Sequence, residues 1–433
     1  MIPERARVSA LGDAAVLVEV GDAVGIAESR RARALAERLE IRFRGQPGWG
    51  NALPAACSVL VAVDPVEPGA EAAVRVIEEA VAELDLEVLG GQPPAGRRIE
   101  IPTRYGGPDG PDLDVVAEMT GLSRSAVIEA HAGVEFEALF LGFMPGFAYL
   151  GPLPSPLVLP RRSTPRTSVP AGSVAIGGPQ TAVYPMASPG GWWLLGRTEA
   201  PLWDPRREPP AWILPGDRVR FVPAQDGSRR GPGDVPDTNA PRAGAGDSTS
   251  LGAPPAATSE GVDARATGHV FEVLDGGLQT TIQDDGRPGL GALGVPRSGA
   301  ADRTSLAIAN ALLGNPPGAA ALEATLVGPE LLACRDVLVG LAGADLGAAT
   351  GDLRPLGSGR AHRLVAGARL RLPGPAEGGS RAYLAIAGGF DIPRVLGSSA
   401  TSLVGGFGGL DGRAIRRGDR LYAGPRPSAE PAL

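Results

Sequence analysis

The chain has 433 residues, of which 43% are apolar and 21% are charged, and its formal net charge is −7 at pH 7. This length exceeds what one hydrophobic core usually serves, so two or three domains are expected. The negative charge argues against a nucleic-acid-binding surface, and the absence of any apolar run of about 18 residues argues against a membrane span.

Cysteine usage points to a reducing compartment. Cys57 and Cys334 are the two cysteines, and their wide separation suggests no disulfide framework. The N-terminal sequence MIPERARVSALGD lacks the apolar stretch of a secretory signal peptide, so we expect a cytoplasmic protein.

The sequence contains no lysine, so all 41 basic residues are arginines. This excludes a Schiff base, a lysine general base, a P-loop lysine and a biotin attached to this chain. Any anion site must therefore depend on arginine, backbone N–H groups or helix N-termini.

The first part of the chain alternates between strand and helix patterns, which predicts a small α+β domain over residues 1–110. The predicted elements are a hairpin over 7–22, strands over 58–65 and 97–106, and helices over 27–42 and 71–86.

The next part, residues 111–223, changes character along its length. A short helix over 112–122 should end at Gly121, and Ser123 is a good N-cap for a second helix that ends near His131. Short apolar runs separated by Gly and Pro then predict a compact β-barrel, whose last strand is PGDRVRFVP.

Residues 224–268 contain hardly any large apolar side chain, so we interpret them as a disordered linker. A second β-rich domain is predicted over 269–433. It contains one clear helix over 302–314, with Asp302 as N-cap and Gly314 as the C′ residue.

Three arginines in the proline-rich stretch PRRSTPR are the strongest candidate ligands in the first half. Arg161, Arg162 and Arg166 lie within six residues, and proline restricts the loop that carries them. Such guanidiniums suit a carboxylate or a phosphate. A solvated arginine turn explains the same pattern.

The apolar segment GFMPGFAYLGPLP, residues 142–154, has too many Gly and Pro residues for a regular helix or a central strand. We interpret Phe143, Phe147 and Tyr149 as an apolar wall that anchors the arginine stretch, with at least one of them filling core. Gly146 would allow a close backbone approach.

Polar and aromatic residues follow at a Gly-Gly turn. Gln180, Thr181 and Tyr184 could donate hydrogen bonds to a ligand or could cap strand ends. We expect one of Trp192 and Trp193 to fill core.

Polar residues in the second half also allow two interpretations. Gln283, Asp284, Asp285 and Arg287 are compact polar groups in a glycine-rich loop. Asp302 caps a helix and could also contact an anion there. Glu323 is a charge inside an apolar run, so it is either paired or functional. Histidine and cysteine spacing predicts no metal site.

Four motifs of the first half resemble, in order and spacing, the allophanate hydrolase subunit 1 family. This family includes the B subunit of bacterial ATP-dependent 5-oxoprolinase and a sporulation-kinase inhibitor, and the resemblance covers nearly all of 1–223. The motifs are GFMPGFAYLG, PRRSTPRTSVPAGSVAI, QTAVYP and SPGGWWLLGRT.

The second half is similar to the allophanate hydrolase subunit 2 family, which includes the C subunit of 5-oxoprolinase and part of the carboxyltransferase of urea carboxylase. Relatives in this family continue beyond the GDRL motif, so we expect a C-terminally shortened domain. The motifs are GLQTTIQDDGRPG, GVPRSGAADRTSLAIAN, LEATLVGPEL and RAYLAIAGGFDIPRVLGS.

These resemblances imply an α+β, mostly β protein, consistent with its Gly (63) and Pro (43) content. A small N-terminal α+β domain would precede two cyclophilin-like β-barrel domains, over 111–223 and 269–433, the last one incomplete. The two families would be fused through the linker, which raises the effective concentration of each part for the other.

The implied function is that of fused B and C subunits of an ATP-dependent 5-oxoprolinase, which converts 5-oxoproline, ATP and water to glutamate, ADP and phosphate. Implied cofactors are ATP and Mg²⁺, and the implied partner is the LamB/YcsF-type A subunit of 5-oxoprolinase. A homo-oligomer is compatible with the sequence. The alternatives are a carboxyltransferase component of a biotin-dependent, urea-carboxylase-like system and a non-catalytic binder of a histidine kinase.

We assign roles on this basis, with Asp284 or Asp302 positioning Mg²⁺ and Arg287 neutralising developing charge. The catalytic candidates are Arg166, Gln180, Asp284 and Arg287, and the substrate- or nucleotide-binding candidates are Arg161, Arg162, Tyr184, Gly146, Gln283, Asp302 and Glu323.

Overall fold

The computed structural model describes residues 6–91, 96–224, 268–375 and 378–425. It divides into two compact units, the first comprising described residues of 1–245 with 289–295, and the second those of 246–288 with 296–433. The predicted linker, apart from its first and last residue, and the end of the chain lie outside the described residues.

The N-terminal part of the first unit is a sheet of four antiparallel strands packed against helices. Its elements are β1 Arg7–Ala10, β2 Ala15–Glu19, α1 Ile26–Phe43, β3 Trp49–Pro54, β4 Ser58–Val63, α2 Ala70–Ala82 and α3 Leu86–Leu89. The strand order is β1-β2-β4-β3. Alternate residues of β2 and β4, such as Val16 and Val59, are buried against Leu35 of α1 and Ile77 of α2. The predicted hairpin and both long helices are confirmed.

The remainder of the first unit is a seven-stranded closed barrel with the order β10-β7-β6-β13-β5-β12-β9, beside a two-stranded sheet of β8 and β11. Its elements are β5 Arg98–Tyr105, α4 Leu113–Thr120, α5 Arg124–Ala132, β6 Phe136–Leu141, β7 Ala148–Gly151, a 3₁₀ turn Ser155–Leu157, β8 Arg166–Val169, β9 Ser173–Gly177, β10 Gln180–Val183, β11 Ser188–Gly190, β12 Trp193–Arg197 and β13 Arg218–Pro223.

The predicted barrel is confirmed, and it also recruits a strand from before residue 111. β5 pairs in parallel with β13 over most of its length, from Arg98 opposite Arg218 to Thr103 opposite Pro223. Alternation in β5 buries Ile99 and Ile101 in the barrel core. The strand therefore belongs to the barrel rather than to the four-stranded sheet.

The predicted helix ends are also confirmed. Gly121 adopts a left-handed conformation with φ 69° after α4, which costs a glycine little. The Ser123 hydroxyl accepts a hydrogen bond from the Ala126 amide at 3.2 Å and so caps α5.

Helix α1 is fastened to the barrel by charge. Glu137 of β6 is only 8% exposed and accepts hydrogen bonds from Arg30 at 2.6 Å and from Arg33 at 3.2 Å. Ser29 donates to the Leu139 carbonyl at 2.7 Å. Two guanidiniums compensate the cost of burying this carboxylate.

The second unit contains two five-stranded sheets and one helix, with the strand orders β19-β21-β17-β14-β23 and β15-β16-β22-β18-β20. Its elements are β14 Phe271–Asp275, β15 Gln279–Gln283, α6 Arg303–Ala311, β16 Ala321–Thr325, β17 Glu330–Ala333, β18 Val337–Gly343, β19 Ala349–Thr350, β20 Arg360–Leu364, β21 Arg369–Arg371, β22 Arg381–Ile386 and β23 Arg420–Leu421.

Helix α6 packs on the second of these sheets through Leu306 and Ala309. The predicted N-cap is confirmed, because Asp302 accepts a hydrogen bond from the Ser305 amide at 2.9 Å. Gly314 is left-handed with φ 69°, but it lies two residues beyond the C-cap Leu312 rather than next to it. Within the described part of the chain, we find no helix with the length and apolarity needed to cross a membrane.

His131 of α5 is fully buried in the first unit. Its Nδ1 lies 2.7 Å from the Tyr105 hydroxyl and its Nε2 lies 2.8 Å from Thr181 Oγ1. The rings of Phe136 and Phe221 pack around it, with centroids 5.4 Å and 4.5 Å away. Burial lowers the pKa of His131 to about 3, so the imidazole is neutral at pH 7.

This burial predicts a pH dependence of stability. In the unfolded chain a histidine has a pKa of about 6.5, so below that pH the unfolded state binds a proton that the folded state refuses. We expect the free energy of unfolding of the first unit to fall by up to about 1.4 kcal/mol per pH unit from His131 alone, as pH falls from about 6.5 toward 3. His131→Gln should flatten this dependence.

The measurement is urea unfolding at pH 7, 6 and 5, followed by tryptophan fluorescence, since all 5 tryptophans lie in the first unit. His362→Gln, which changes a histidine of the second unit, is the control and should keep the wild-type slope. Equal slopes for His131→Gln and wild type would show that His131 does not carry the effect.

Candidate functional site

Two of the three clustered arginines are paired with a buried carboxylate. Asp112, which is 3% exposed, lies at the start of α4 but does not cap it. Its Oδ1 accepts hydrogen bonds from Arg166 Nη2 at 2.7 Å and Arg162 Nη1 at 3.3 Å, and its Oδ2 accepts from the Leu194 amide at 2.7 Å. Arg162 and Arg166 therefore compensate an internal negative charge.

The same two arginines retain unused donors. Arg162 Nε and Arg166 Nη1 are buried without a hydrogen-bond partner among the described residues. Arg162 also stacks over the Trp193 ring at 5.0 Å, and the Trp193 indole donates to the Pro160 carbonyl at 2.8 Å. The stretch from Pro160 to Arg166 is thus held by an ion-pair network and by an aromatic face.

Arg161 is different, because no described carboxylate pairs with it. It is exposed, and its guanidinium lies 5.7 Å from the centroid of Trp192, which is 4% exposed. Burial raises the pKa of Tyr149 and of Tyr184, and the charge of Arg161 opposes this rise at both. Both phenols are protonated at pH 7. The hydroxyl groups of Tyr149 and Tyr184 are therefore donors that lie within the electrostatic influence of the unpaired Arg161 guanidinium.

An aromatic cluster lies under these donors. The Phe147 ring lies edge-on to Tyr149, Tyr184 and Trp192, with centroid distances of 4.9, 5.3 and 5.9 Å. Phe143 contacts the same cluster but is 58% exposed and has φ 68°. A left-handed, exposed phenylalanine is strained, and such strain concentrates at functional sites. We call these five residues the aromatic wall.

Two glycines make room for the aromatic wall. A Cβ on Gly177 would lie 2.8 Å from the Trp192 ring, and a Cβ on Gly190 would lie 3.0 Å from the phenol carbon of Tyr184. Trp192 fills core, as expected for one of the two tryptophans, whereas Trp193 is half-buried.

Gly146 and Gln180 are placed elsewhere. Gly146 has φ 76°, and a Cβ there would lie 3.0 Å from the Leu202 carbonyl and the Trp203 side chain. Its close approach is therefore to the chain itself. Gln180 is buried in β10, and its Nε2 has no hydrogen-bond partner among the described residues. No described contact joins it to Arg161, so its catalytic role stays a prediction.

The second unit contains a cavity of about 210 Å³ on one face of the sheet of β15, β16 and β22. Gln279, Thr281 and Gln283 alternate along β15, while Thr280 and Ile282 point to the other face. Thr281 lies opposite Glu323. The residues that line the cavity are Gln279, Thr281, Gln283, Pro296, Ser298, Glu323, Arg381, Thr401, Ser402, Leu403 and Val404.

Glu323 is paired rather than free. Its Oε1 accepts from Arg381 Nη1 at 3.2 Å, and its Oε2 accepts from the Tyr383 hydroxyl at 2.7 Å and the Ala301 amide at 2.8 Å. Burial first, and then the hydrogen bond to Glu323, raise the pKa of Tyr383. The Tyr383 hydroxyl therefore remains a hydrogen-bond donor, and Arg381 compensates the negative charge of Glu323.

Asp284 and Arg287 stabilise the 395–400 loop, which leads directly into the lining residue Thr401 of this cavity. Asp284 accepts hydrogen bonds from the Ser398 hydroxyl at 2.6 Å and the Ser399 amide at 2.7 Å. Arg287, 2% exposed, donates to the Val395 and Ala400 carbonyls and lies 4.9 Å from the Phe407 ring. The structure gives both residues a supporting position, and their catalytic roles stay predictions.

Asp302 also has a supporting role, because it caps the N-terminus of α6. Its carboxylate accepts hydrogen bonds from the Ser305 amide and hydroxyl, and its own amide donates to Tyr383 Oη at 2.7 Å. Among the described residues, no group of three or more His, Cys, Asp or Glu side chains is placed to hold a metal ion.

Sequence reasoning missed Asp112 and Arg381 as members of these sites. Asp112 looked like a helix start, and only the fold brings it to Arg162 and Arg166. Arg381 opens the strand RAYLAI, and its position opposite Thr325 is set by β-sheet register. A charge at the edge of a strand that is otherwise typical of core was the one available signal.

Two protein-family models match the chain, one in each half. The carboxyltransferase domain, subdomains C and D, matches residues 6–213, and the carboxyltransferase domain, subdomains A and B, matches residues 293–433. The chain belongs to this carboxyltransferase-domain family, with the C–D part before the A–B part.

Relatives distinguish the two halves further. The chain is 46% identical over 225 residues to the B subunit of 5-oxoprolinase from Escherichia coli O157:H7, a match that covers 52% of this chain and 99% of that protein. It is 41% identical over 155 residues to the C subunit of 5-oxoprolinase from Escherichia coli (strain K12), a match that covers 36% of this chain but 49% of that protein. A half similar to the B protein thus precedes a half similar to the C protein, as the motifs predicted.

One solved structure is similar to this chain over nearly its whole length. The crystal structure of TTHA0988 is similar with a TM-score of 0.75 and 34% sequence identity, over 96% of this chain and 76% of that one. The α+β, mostly β fold class is confirmed.

The Asp112 network predicts a large stability effect from a single substitution. Asp112→Asn keeps the shape but leaves Arg162 and Arg166 without their counter-charge. We expect the free energy of unfolding of the first unit to fall by about 3 kcal/mol, because removing one partner of a buried ion pair leaves a buried charge uncompensated. Urea unfolding followed by tryptophan fluorescence measures it.

Asp114→Asn is the matched control. Asp114 lies on the same helix and pairs with Arg124, but this pair is exposed. We expect no measurable change, because exposed ion pairs contribute little. Equal effects of the two substitutions would contradict a special role for the Asp112 network.

Proposed function

We propose that the chain supplies the B and C portions of an ATP-dependent 5-oxoprolinase and acts with a LamB/YcsF-type protein as the third component. The similarity of its two halves to proteins named as the B and C subunits of 5-oxoprolinase supports this proposal. The observation in the structure that carries it is the unpaired Arg161 beside two protonated phenols.

The geometry around Arg161 suits an anion that bears several oxygens. Arg161 has donors to give because no described carboxylate uses them, and Trp192 holds its guanidinium from one side. Tyr149 and Tyr184 add neutral O–H donors, which need not lose a charge when an anion binds. Such a set stabilises a phosphate or carboxylate by hydrogen bonds and charge together.

The task of such a site in lactam cleavage is alignment and charge stabilisation. An unstrained lactam resists water, and ATP would transfer its γ-phosphoryl group to the lactam oxygen, which makes the carbonyl carbon more electrophilic. Water would add to this carbon, the C–N bond would break as the nitrogen takes a proton, and a second water would release phosphate from the resulting acyl phosphate to give glutamate. Arg161 would hold the anionic oxygens, and the Asp112 network would keep the arginine stretch from moving. The aromatic wall would exclude water from one side.

A second candidate is a carboxyltransferase component of a urea-carboxylase-like system. The A–B half is 39% identical over 153 residues to urea amidolyase of Lachancea kluyveri, which is 8% of that protein. Because the chain has no lysine, carboxybiotin would have to come on a separate carrier. Carboxyl transfer from such a carrier, without glutamate release from 5-oxoproline, would favour this candidate.

The test is release of glutamate from 5-oxoproline and ATP by this chain together with a LamB/YcsF-type protein. Arg161→Gln should lower kcat/KM about 10- to 100-fold, because it removes charge-assisted hydrogen bonds worth about 1.5–3 kcal/mol. Arg161→Lys should recover part of the loss, because it restores the charge without the planar fork.

Arg206→Gln is the control, because Arg206 is an exposed arginine of the same unit that pairs with Asp204. It should leave kcat/KM unchanged. No glutamate release by the wild-type assembly would refute the proposed function, whereas full activity of Arg161→Gln would refute only the role of Arg161.

A further inference from the structure

The cavity of the second unit presents a hydrogen-bond acceptor that nothing in the described chain uses. Gln283 is 7% exposed, and its Oε1 has no partner among the described residues. A buried amide oxygen without a donor is costly, so most buried polar atoms are paired. A ligand in the adjacent cavity could supply the missing hydrogen-bond donor.

The orientation of the Gln283 amide follows from its neighbours. Its Nε2 donates to Thr281 Oγ1 at 2.9 Å and to the Thr401 carbonyl at 3.4 Å. A carbonyl accepts but cannot donate, so the NH₂ group must face Thr401. The unused atom is therefore the oxygen, and it calls for an N–H or O–H donor from a ligand.

A fixed cation borders the same cavity. Arg381 donates through Nη1 to Glu323 at 3.2 Å and to Thr325 Oγ1. No described residue accepts a hydrogen bond from its Nε or Nη2. The Tyr383 hydroxyl and the Ala301 amide donate to Glu323 Oε2 and so fix the position of this carboxylate. The fixed carboxylate holds Arg381 in place through Oε1, and the two charges compensate each other.

The remaining lining is mixed. Leu403 and Val404, which are 45% and 68% exposed, give the rim an apolar side. Ser298 has φ 52°, an unusual left-handed conformation for serine. The cavity, of about 210 Å³ and open to solvent, has room for a molecule of amino-acid size.

We propose that this cavity binds a small cyclic amide that carries a carboxylate, with its N–H donating to Gln283 Oε1 and its carboxylate accepting from Arg381. This choice of ligand rests on the proposed function and assigns its substrate to the second unit. Gln283 supplies specificity for the N–H group, and Glu323 is a positioning residue that acts through Arg381.

The experiment is calorimetric titration of the full chain with 5-oxoproline, without ATP and without a partner protein. Three analogues each remove one feature: N-methyl-5-oxoproline lacks the N–H, 2-pyrrolidinone lacks the carboxylate, and cyclopentanecarboxylate lacks the whole amide. We expect each to bind at least about 10-fold more weakly than 5-oxoproline, since a site with a buried polar group rejects an analogue that cannot pair it.

Variants then locate the contact. Gln283→Met should weaken 5-oxoproline about 10-fold, and 5-oxoproline and its N-methyl analogue should then bind alike, because the group that distinguishes them is gone. Arg381→Gln should weaken 5-oxoproline but not 2-pyrrolidinone. Arg369→Gln, an exposed arginine on the other sheet of the same unit, is the control and should bind as wild type does.

Several outcomes would overturn the inference. These are no binding of 5-oxoproline by the wild-type chain, equal binding of the N-methyl analogue, or loss of binding in Arg161→Gln with retention in Gln283→Met. Each of them is compatible with glutamate release by the assembly, so the proposed function would survive. Binding with the expected pattern but no glutamate release would support the cavity and refute the reaction.

Discussion

A buried carboxylate paired with arginine is the interaction on which both sites depend. Asp112 in the first unit and Glu323 in the second are 3% and 6% exposed. A carboxylate in such a place is unfavourable unless guanidinium and N–H donors satisfy its oxygens. Each has at least three donors, so each can fix the arginines around it.

This pairing separates arginines that support from arginines that remain available. Arg162 and Arg166 are used by Asp112, which leaves Arg161 as the member of the PRRSTPR stretch with an unpaired charge. In the second unit one edge of Arg381 is used by Glu323 and the other is not. Because the chain has no lysine, the cation in both sites is an arginine. Its planar guanidinium group carries several donors and can therefore bind two partners at once.

Position in the sequence motif did not reveal these differences. The motif presents three arginines as equivalents, and Asp284 and Arg287 as a compact polar pair. Their partners, Asp112 and the 395–400 loop, lie 50 or more residues away in sequence. Whether a charged side chain is consumed by an internal partner is a long-range property, so residue type and spacing could not decide it.

By itself, the sequence determined the elements and the family. Periodicity indicated α1, the hairpin of β1 and β2, the caps Ser123 and Asp302 and the barrel strands, because these depend on local spacing and on capping chemistry. Only the tertiary structure decided that β5 joins the barrel and that Arg381 compensates the charge of Glu323. It also decided that Gln283 Oε1 lies beside a cavity without a hydrogen-bond partner among the described residues. Strand register and burial set these features, and both arise from residues that are distant along the chain.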